Sequence, residues 1–245
     1  MKLNCDLGES FGSWTIEGET EVMPLIDQAN VACGFHAGDP VVMAKTLGLA
    51  KLNQVEVGAH PGYPDLNGFG RRSMALSENE LYQSLHYQIS AVAGMASVQG
   101  MTISYVKPHG ALYNDMMKND DIRTTIMKAI ADYPLPLALM LQANESHSQY
   151  AEQARKFDLP LLFEAFADRG YTETGTLVPR SQAGAMLNGA EMLERVKALC
   201  EQGVVYAVSG KALSFPVDSL CVHGDNAESV AHIKEIKNLM SHYEN

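Results

Sequence analysis

The chain has 245 residues, a formal net charge of −11 and 46% hydrophobic residues, with ten tyrosines and seven phenylalanines. That is enough apolar mass for a sizeable core, and the acidity argues against nucleic acid or an anionic membrane as a partner. There is no apolar run long enough to span a bilayer, no signal-peptide h-region in "MKLNCDLGES", and no C-x-x-C pair among Cys5, Cys33, Cys200 and Cys221, so a cytoplasmic location is expected.

In chain order, the first predicted strand covers 2–5 and runs into "NCDLGES", where Asn4, Asp6 and Glu9 cluster. Asp6 reads either as a turn residue accepting backbone hydrogen bonds or as part of a site, because three such groups exceed what a turn needs. The second strand, 28–33, carries Asn30 and leads to "GFHAGDP". There Asp39 and Pro40 predict the N-cap and first residue of a helix over 40–53. His36 has no capping role; it reads as a ligand contact or as a hydrogen-bonded turn histidine.

A third strand, 55–59, ends at "AHPGYPDLNGFGRR". His60 stands at the strand end, Pro61 and Pro64 stiffen the loop, and we take Arg71 as a candidate clamp for a carboxylate or phosphate, leaving Arg72 to the surface. Ser77 and Glu80 form a capping-box pattern that opens a helix over 78–99. The fourth strand, 102–107, delivers Lys107, and "VKPHGALYN" adds His109. A lysine in that place either pairs with a buried carboxylate or holds an anionic substrate group.

A helix over 120–132, a strand over 137–141 and a helix over 146–157 follow. The strand 160–164 ends in Glu164, and Asp168 and Arg169 lie in 165–182, a stretch long enough to be a lid. Ala185, Met186, Leu193, Val196 and Leu199 predict a helix over 183–202. Strands at 203–207 and 219–223 precede a last helix at 227–242. "CVHGDN" contributes His223 and Asp225, although Asp225 competes for a helix-start role. His86, His147, His232 and His242 lie on helical patterns and receive no role.

Strand and helix alternate without a linker, which predicts one domain over 1–245: a (β/α) barrel of about seven or eight parallel strands. An open doubly wound sheet shows the same pattern. The polar clusters fall after the C-terminal ends of strands, and in a barrel those ends share one face. The return connections "LNQ", "ADYP" and "KFD" are blander. P-loop, dinucleotide, G-x-S-x-G and H-E-x-x-H motifs are missing. The remaining carboxylates, histidines and lysine suit acid–base hydrolysis or a metal-activated water, with Asp6, His36 and His60 as a candidate ligand set for a divalent metal such as magnesium.

"NCDLGESFG", "ANVACGFHAGDP", "VGAHPGYPDLNGFGRR", "VKPHGALYN", "EAFADRGY" and "CVHGD", in that order, resemble the LamB/YcsF family from residue 1 to about residue 235. The resemblance implies a barrel akin to those of glycoside hydrolases and polysaccharide deacetylases. It further implies the A-subunit role in opening 5-oxo-L-proline to L-glutamate with hydrolysis of ATP, beside subunits B and C. On that basis Asp6 or Glu9 is expected as base, Lys107 and Arg169 as anion contacts, and His60 or His109 in proton transfer. ATP would bind without a standard motif or be handled with the partner subunits. The competing expectations are a stand-alone metal-dependent amide or carbohydrate N-deacetylase, or a non-catalytic substrate-binding subunit; homo-oligomers fit any of the three.

Overall fold

The computed structural model describes residues 1–222 and 227–243, so the expectations placed on His223 and Asp225 lie outside the described residues. In chain order the elements are β1 (Lys2–Leu7), α1 (Glu19–Val22), β2 (Gln28–Ala32), α2 (Pro40–Asn53), β3 (Glu56–His60), α3 (Glu78–Val98), β4 (Tyr105–Val106), α4 (Gly110–Lys118), α5 (Asp120–Ala131), β5 (Ala138–Gln142), α6 (His147–Arg155), β6 (Leu161–Phe166), α7 (Gly189–Gln202), β7 (Val204–Tyr206), β8 (Ala212–Ser214), β9 (Ser219–Val222) and α8 (Ala227–Tyr243). Seven strands close a barrel in the order β1-β2-β3-β4-β5-β6-β9, each paired in parallel with its neighbours. No described helix is long and apolar enough to cross a membrane.

Alternation along each strand sorts the side chains. Leu3, Cys5, Ala29, Val31, Val57, Ala59, Leu139 and Leu141 join the hydrophobic core under the helices. The core-facing stripe of α3, for example, is Leu81, Leu85, Ile89, Val92 and Ala96. The intervening positions point into the barrel and are largely polar: Asn4 and Asp6 on β1, Gln28 and Asn30 on β2, Glu164 on β6, Ser219 on β9. Barrel interiors are more often filled by branched apolar residues.

The caps read from sequence form as expected. The Asp39 carboxylate accepts from the Val41 and Val42 amides at 2.8 and 3.0 Å, ahead of Pro40. Ser77 and Glu80 make a reciprocal capping box. Three expectations need correction. The segment 203–207 is not a barrel strand: β7 turns back at Gly210 (φ 87°) and pairs antiparallel with β8. A parallel neighbour needs a crossover of about a dozen residues or more, and the hairpin leaves none. The helix expected from residue 183 starts at Gly189, because Asn188 and Glu191 form a second capping box there. Ala185 and Met186 belong instead to the preceding loop, with Met186 bridged to Arg169. Finally, α4 occupies what reads as loop in "HGALYN".

Gly58 shows how the interior is fitted. It lies between Asn30 and Tyr105 in the strand register. The Tyr105 ring crosses the space a side chain would take at Gly58, and its hydroxyl reaches the Asn30 carbonyl at 2.7 Å. A Gly58→Ala substitution should therefore destabilise the fold by about 1–3 kcal/mol through overpacking. Urea denaturation measures this, and an unchanged midpoint would refute the fit.

Candidate active site at the barrel mouth

Lys107, just past β4, sends a 2% exposed side chain across the barrel. Its Nζ lies 3.0 Å from Asp6 Oδ1, 3.1 Å from Glu164 Oε2 and 3.2 Å from Asn4 Oδ1. Burial lowers the tendency of Lys107 to hold its proton, but the charges of Asp6 and Glu164 outweigh it and hold the pKa well above the usual lysine value. Asn30 donates to both Asn4 Oδ1 and Asp6 Oδ1, at 2.8 and 2.7 Å. Asn4 donates to Ser219 at 2.7 Å. Asn30 on β2 and Lys107 past β4 thus fix the carboxylate of Asp6. Tyr113 faces Glu164, and burial followed by that negative charge raises its phenol well above the usual range. The two groups face each other, and among the described residues neither Tyr113 Oη nor Glu164 Oε1 meets another hydrogen-bond partner.

A second cluster surrounds Glu9. His36 Nε2 is 3.1 Å and His109 Nδ1 3.2 Å from Glu9 Oε1, while His60 Nε2 is 3.9 Å from it and 3.4 Å from Asp6 Oδ2. The outer nitrogens of two rings are engaged: His60 Nδ1 lies 2.6 Å from the Lys107 carbonyl and His109 Nε2 lies 2.9 Å from the Phe69 carbonyl. His36 stacks on His109 with ring centroids 3.7 Å apart. Burial, then the positive charge of His109, pushes the His36 pKa down to about 3, so this ring is neutral at physiological pH. For Glu9, burial favours the protonated form, but hydrogen bonds with His109 and His36 outweigh it and keep the carboxyl well below its usual pKa.

Two glycines make this crowding possible. A Cβ at Gly70 (φ 64°) would meet His36 and His109. One at Gly110 (φ 55°) would meet the Gly70 carbonyl, which accepts instead from the Ala111 amide at 2.9 Å. The loop after β3 and the start of α4 are locked together there.

Asn4, Asp6, Glu9, Asn30, His36, His60, Lys107, His109 and Glu164 therefore meet at one end of the barrel, as the sequence predicts. Asp168 is fully buried after β6, and its carbonyl accepts from Leu187. Arg169 is placed otherwise than as an anion contact: its guanidinium donates to the Ala185 and Val178 carbonyls and fastens the loop 167–188. That loop is also held by the Tyr171 hydroxyl, which accepts from the Phe166 amide, and by Gln142, which donates to the Gly175 carbonyl. Arg71 is exposed over the Phe69 ring, while Arg72 pairs with Asp65. Of the metal set expected from sequence, Asp6 is engaged by Lys107 and Asn30, and among the described residues the groups within reach of one ion are Glu9, His36, His60 and His109. Tyr105, Tyr113, Ser219 and Cys221 escaped the sequence reading. Strand alternation marks two of them, since Tyr105 precedes Lys107 by two and Ser219 precedes Cys221 by two.

The model of the LamB/YcsF family matches residues 1–244. A Vibrio campbellii protein named as the A subunit of 5-oxoprolinase is 49% identical over 238 residues, covering 97% of this chain and 94% of its own. A protein of the same name from Pseudomonas fluorescens is 48% identical over 242 residues, covering 98% and 97%. The crystal structure of a lactam utilization protein from Thermus thermophilus superposes with a TM-score of 0.89 at 37% identity, covering 99% of this chain and 96% of that one.

Replacing Lys107 by methionine strands two buried carboxylates, and should cost roughly 3–5 kcal/mol of stability. Adding Asp6→Asn and Glu164→Gln to Lys107→Met should restore part of that loss. Denaturant titration of the three proteins decides the point; a single variant within about 1 kcal/mol of the parent would mean that the pair is not a buried one.

Proposed function

We propose that this chain, which belongs to the LamB/YcsF family, acts as the A subunit of a 5-oxoprolinase, opening 5-oxo-L-proline to L-glutamate as ATP is hydrolysed to ADP and phosphate beside subunits B and C. Support comes from relatives of that name at near full length. The observation that carries the reading is the Asp6 carboxyl group, fixed by Lys107 at 3.0 Å and standing 3.4 Å from the His60 ring at the barrel mouth.

A lactam is a resonance-stabilised amide with a poor leaving group. Transfer of the ATP γ-phosphoryl group to the lactam oxygen would make C5 electrophilic. Water adds to C5 as a base takes its proton, a proton delivered to the ring nitrogen lets the C5–N bond break to leave γ-glutamyl phosphate, and a second water hydrolyses that acyl phosphate to L-glutamate and phosphate. Asp6 is the base in this scheme: its Oδ1 is engaged by Lys107 and Asn30, while Oδ2 faces the histidines. Lys107 at 3.0 Å holds that carboxyl group in place. Tyr113 Oη and Glu164 Oε1, a donor and an acceptor buried with no other partner among the described residues, suit the carbonyl and N–H of a lactam.

Glutamate and ADP should form in equal amounts from 5-oxo-L-proline and ATP when this chain is combined with its partner subunits. Asp6→Asn should lower that turnover by about 100-fold or more. Full turnover by Asp6→Asn would remove Asp6 as the base. Hydrolysis of amide substrates by the chain alone, without ATP, would favour the stand-alone hydrolase.

A further inference from the structure

We propose that Glu9, His60 and His109 are the protein ligands of a divalent transition-metal ion, zinc by their donor chemistry, with a coordination position left open beside Asp6. This does not depend on which reaction the chain performs.

The partners of the outer ring nitrogens fix where the protons lie, because a carbonyl oxygen only accepts. His60 Nδ1 faces the Lys107 carbonyl at 2.6 Å, so it carries the proton and His60 Nε2 carries a lone pair. His109 Nε2 faces the Phe69 carbonyl at 2.9 Å, so its lone pair is on Nδ1. Those two lone pairs point at each other across 2.9 Å. Glu9 Oε1, another acceptor, is 3.2 Å from the same His109 nitrogen and 3.9 Å from the His60 nitrogen. With both rings neutral, three acceptors converge in a buried space with no donor between them. One added proton satisfies one of those lines and leaves the others as lone-pair contacts. Two protons would set two cationic N–H groups against each other. A single cation satisfies all three.

The spacing suits one. Ligand atoms at zinc bond lengths of 2.0–2.1 Å in a tetrahedron lie about 3.3 Å apart, against the 2.9, 3.2 and 3.9 Å seen here. The His60 and His109 rings cross at 89°, so both in-plane lone pairs can meet at one point. His36 lies within reach of the same ion but is turned less favourably than these three. Its ring is parallel to His109 within 2°, which puts its in-plane lone pair in a different plane. Its Nε2 instead donates to Glu9 at 3.1 Å and orients that carboxylate, as partners of metal ligands commonly do. Each imidazole ligand is likewise held by a backbone carbonyl. Two imidazoles and a carboxylate with an open position form a donor set used by catalytic zinc. The same set suits magnesium poorly, because that ion prefers oxygen and water. Charge agrees with this. Among the described residues Lys107 is taken by Asp6 and Glu164, and no lysine or arginine pairs with Glu9. Asp6 Oδ2, 3.4 Å from His60 Nε2, borders the open position.

The test uses the full chain, stripped with a chelator and titrated with zinc by calorimetry and with cobalt(II) by visible absorption. One ion per chain, a rise in melting temperature on adding zinc, and cobalt bands of a four- or five-coordinate site are expected. His60→Gln, His109→Gln and Glu9→Gln should each weaken zinc binding by more than about 100-fold, and His36→Gln by about 10–100-fold. Asp6→Asn should still bind one ion. Circular dichroism melting of each variant separates lost binding from lost fold. A folded parent chain that takes up no zinc at millimolar concentration overturns the proposal. So does stoichiometric, undiminished binding by folded His60→Gln or His109→Gln.

Discussion

A positive charge inside the barrel is the constraint on which the rest of the structure depends. An unpaired ammonium there is prohibitively costly, so Lys107 requires Asp6 and Glu164 at 3.0 and 3.1 Å, and the same carboxylate oxygens also take amide donors. Asn4 and Asn30 supply those amides, and Tyr105 and Ser219 supply partners for the asparagines. Removing any one member leaves a buried polar group unmet, which explains why polar residues from five strands occupy a space that an ordinary barrel fills with valine and isoleucine. Gly58 belongs to the same constraint: without a bare backbone there, Tyr105 could not lie flat and reach Asn30.

This network has a rigid upper edge. The Lys107 carbonyl receives His60 Nδ1 and its side chain holds Asp6, so one residue fixes both members of the contact between His60 and Asp6. The Gly70–Gly110 contact then sets the position of His109. Geometry at the mouth is therefore set by backbone groups rather than by mobile side chains, as an acid–base site requires.

Much of this could be read in the sequence because it is carried by local chemistry. Asp39–Pro40 and Ser77–Glu80 announce their helices through capping, and parallel topology brings strand-end polar residues to one face. What escaped was relational. The hairpin after α7 depends on the absence of a crossover rather than on the composition of "GVVYA". The α7 start is set by the Asn188–Glu191 capping box, which begins the helix at Gly189 rather than at residue 183. Arg169 looks like an anion contact in one dimension, yet the carbonyls of a loop up to sixteen residues away engage it. Asp6 and Glu9 look alike in sequence. Only the closed barrel separates them, giving one to a lysine and the other to histidines.

The distribution of cations bears on any reaction that involves a phosphoryl group. Lys107 is neutralised by carboxylates, Arg169 and Arg195 are directed to backbone carbonyls, Arg72 pairs with Asp65 and Arg71 lies over Phe69. Asp6, Glu9, Glu164 and Asp168 are all buried at this end of the barrel. These described cations are each engaged by a group of the protein, and the carboxylates gathered at the mouth suit the handling of a proton and a water molecule.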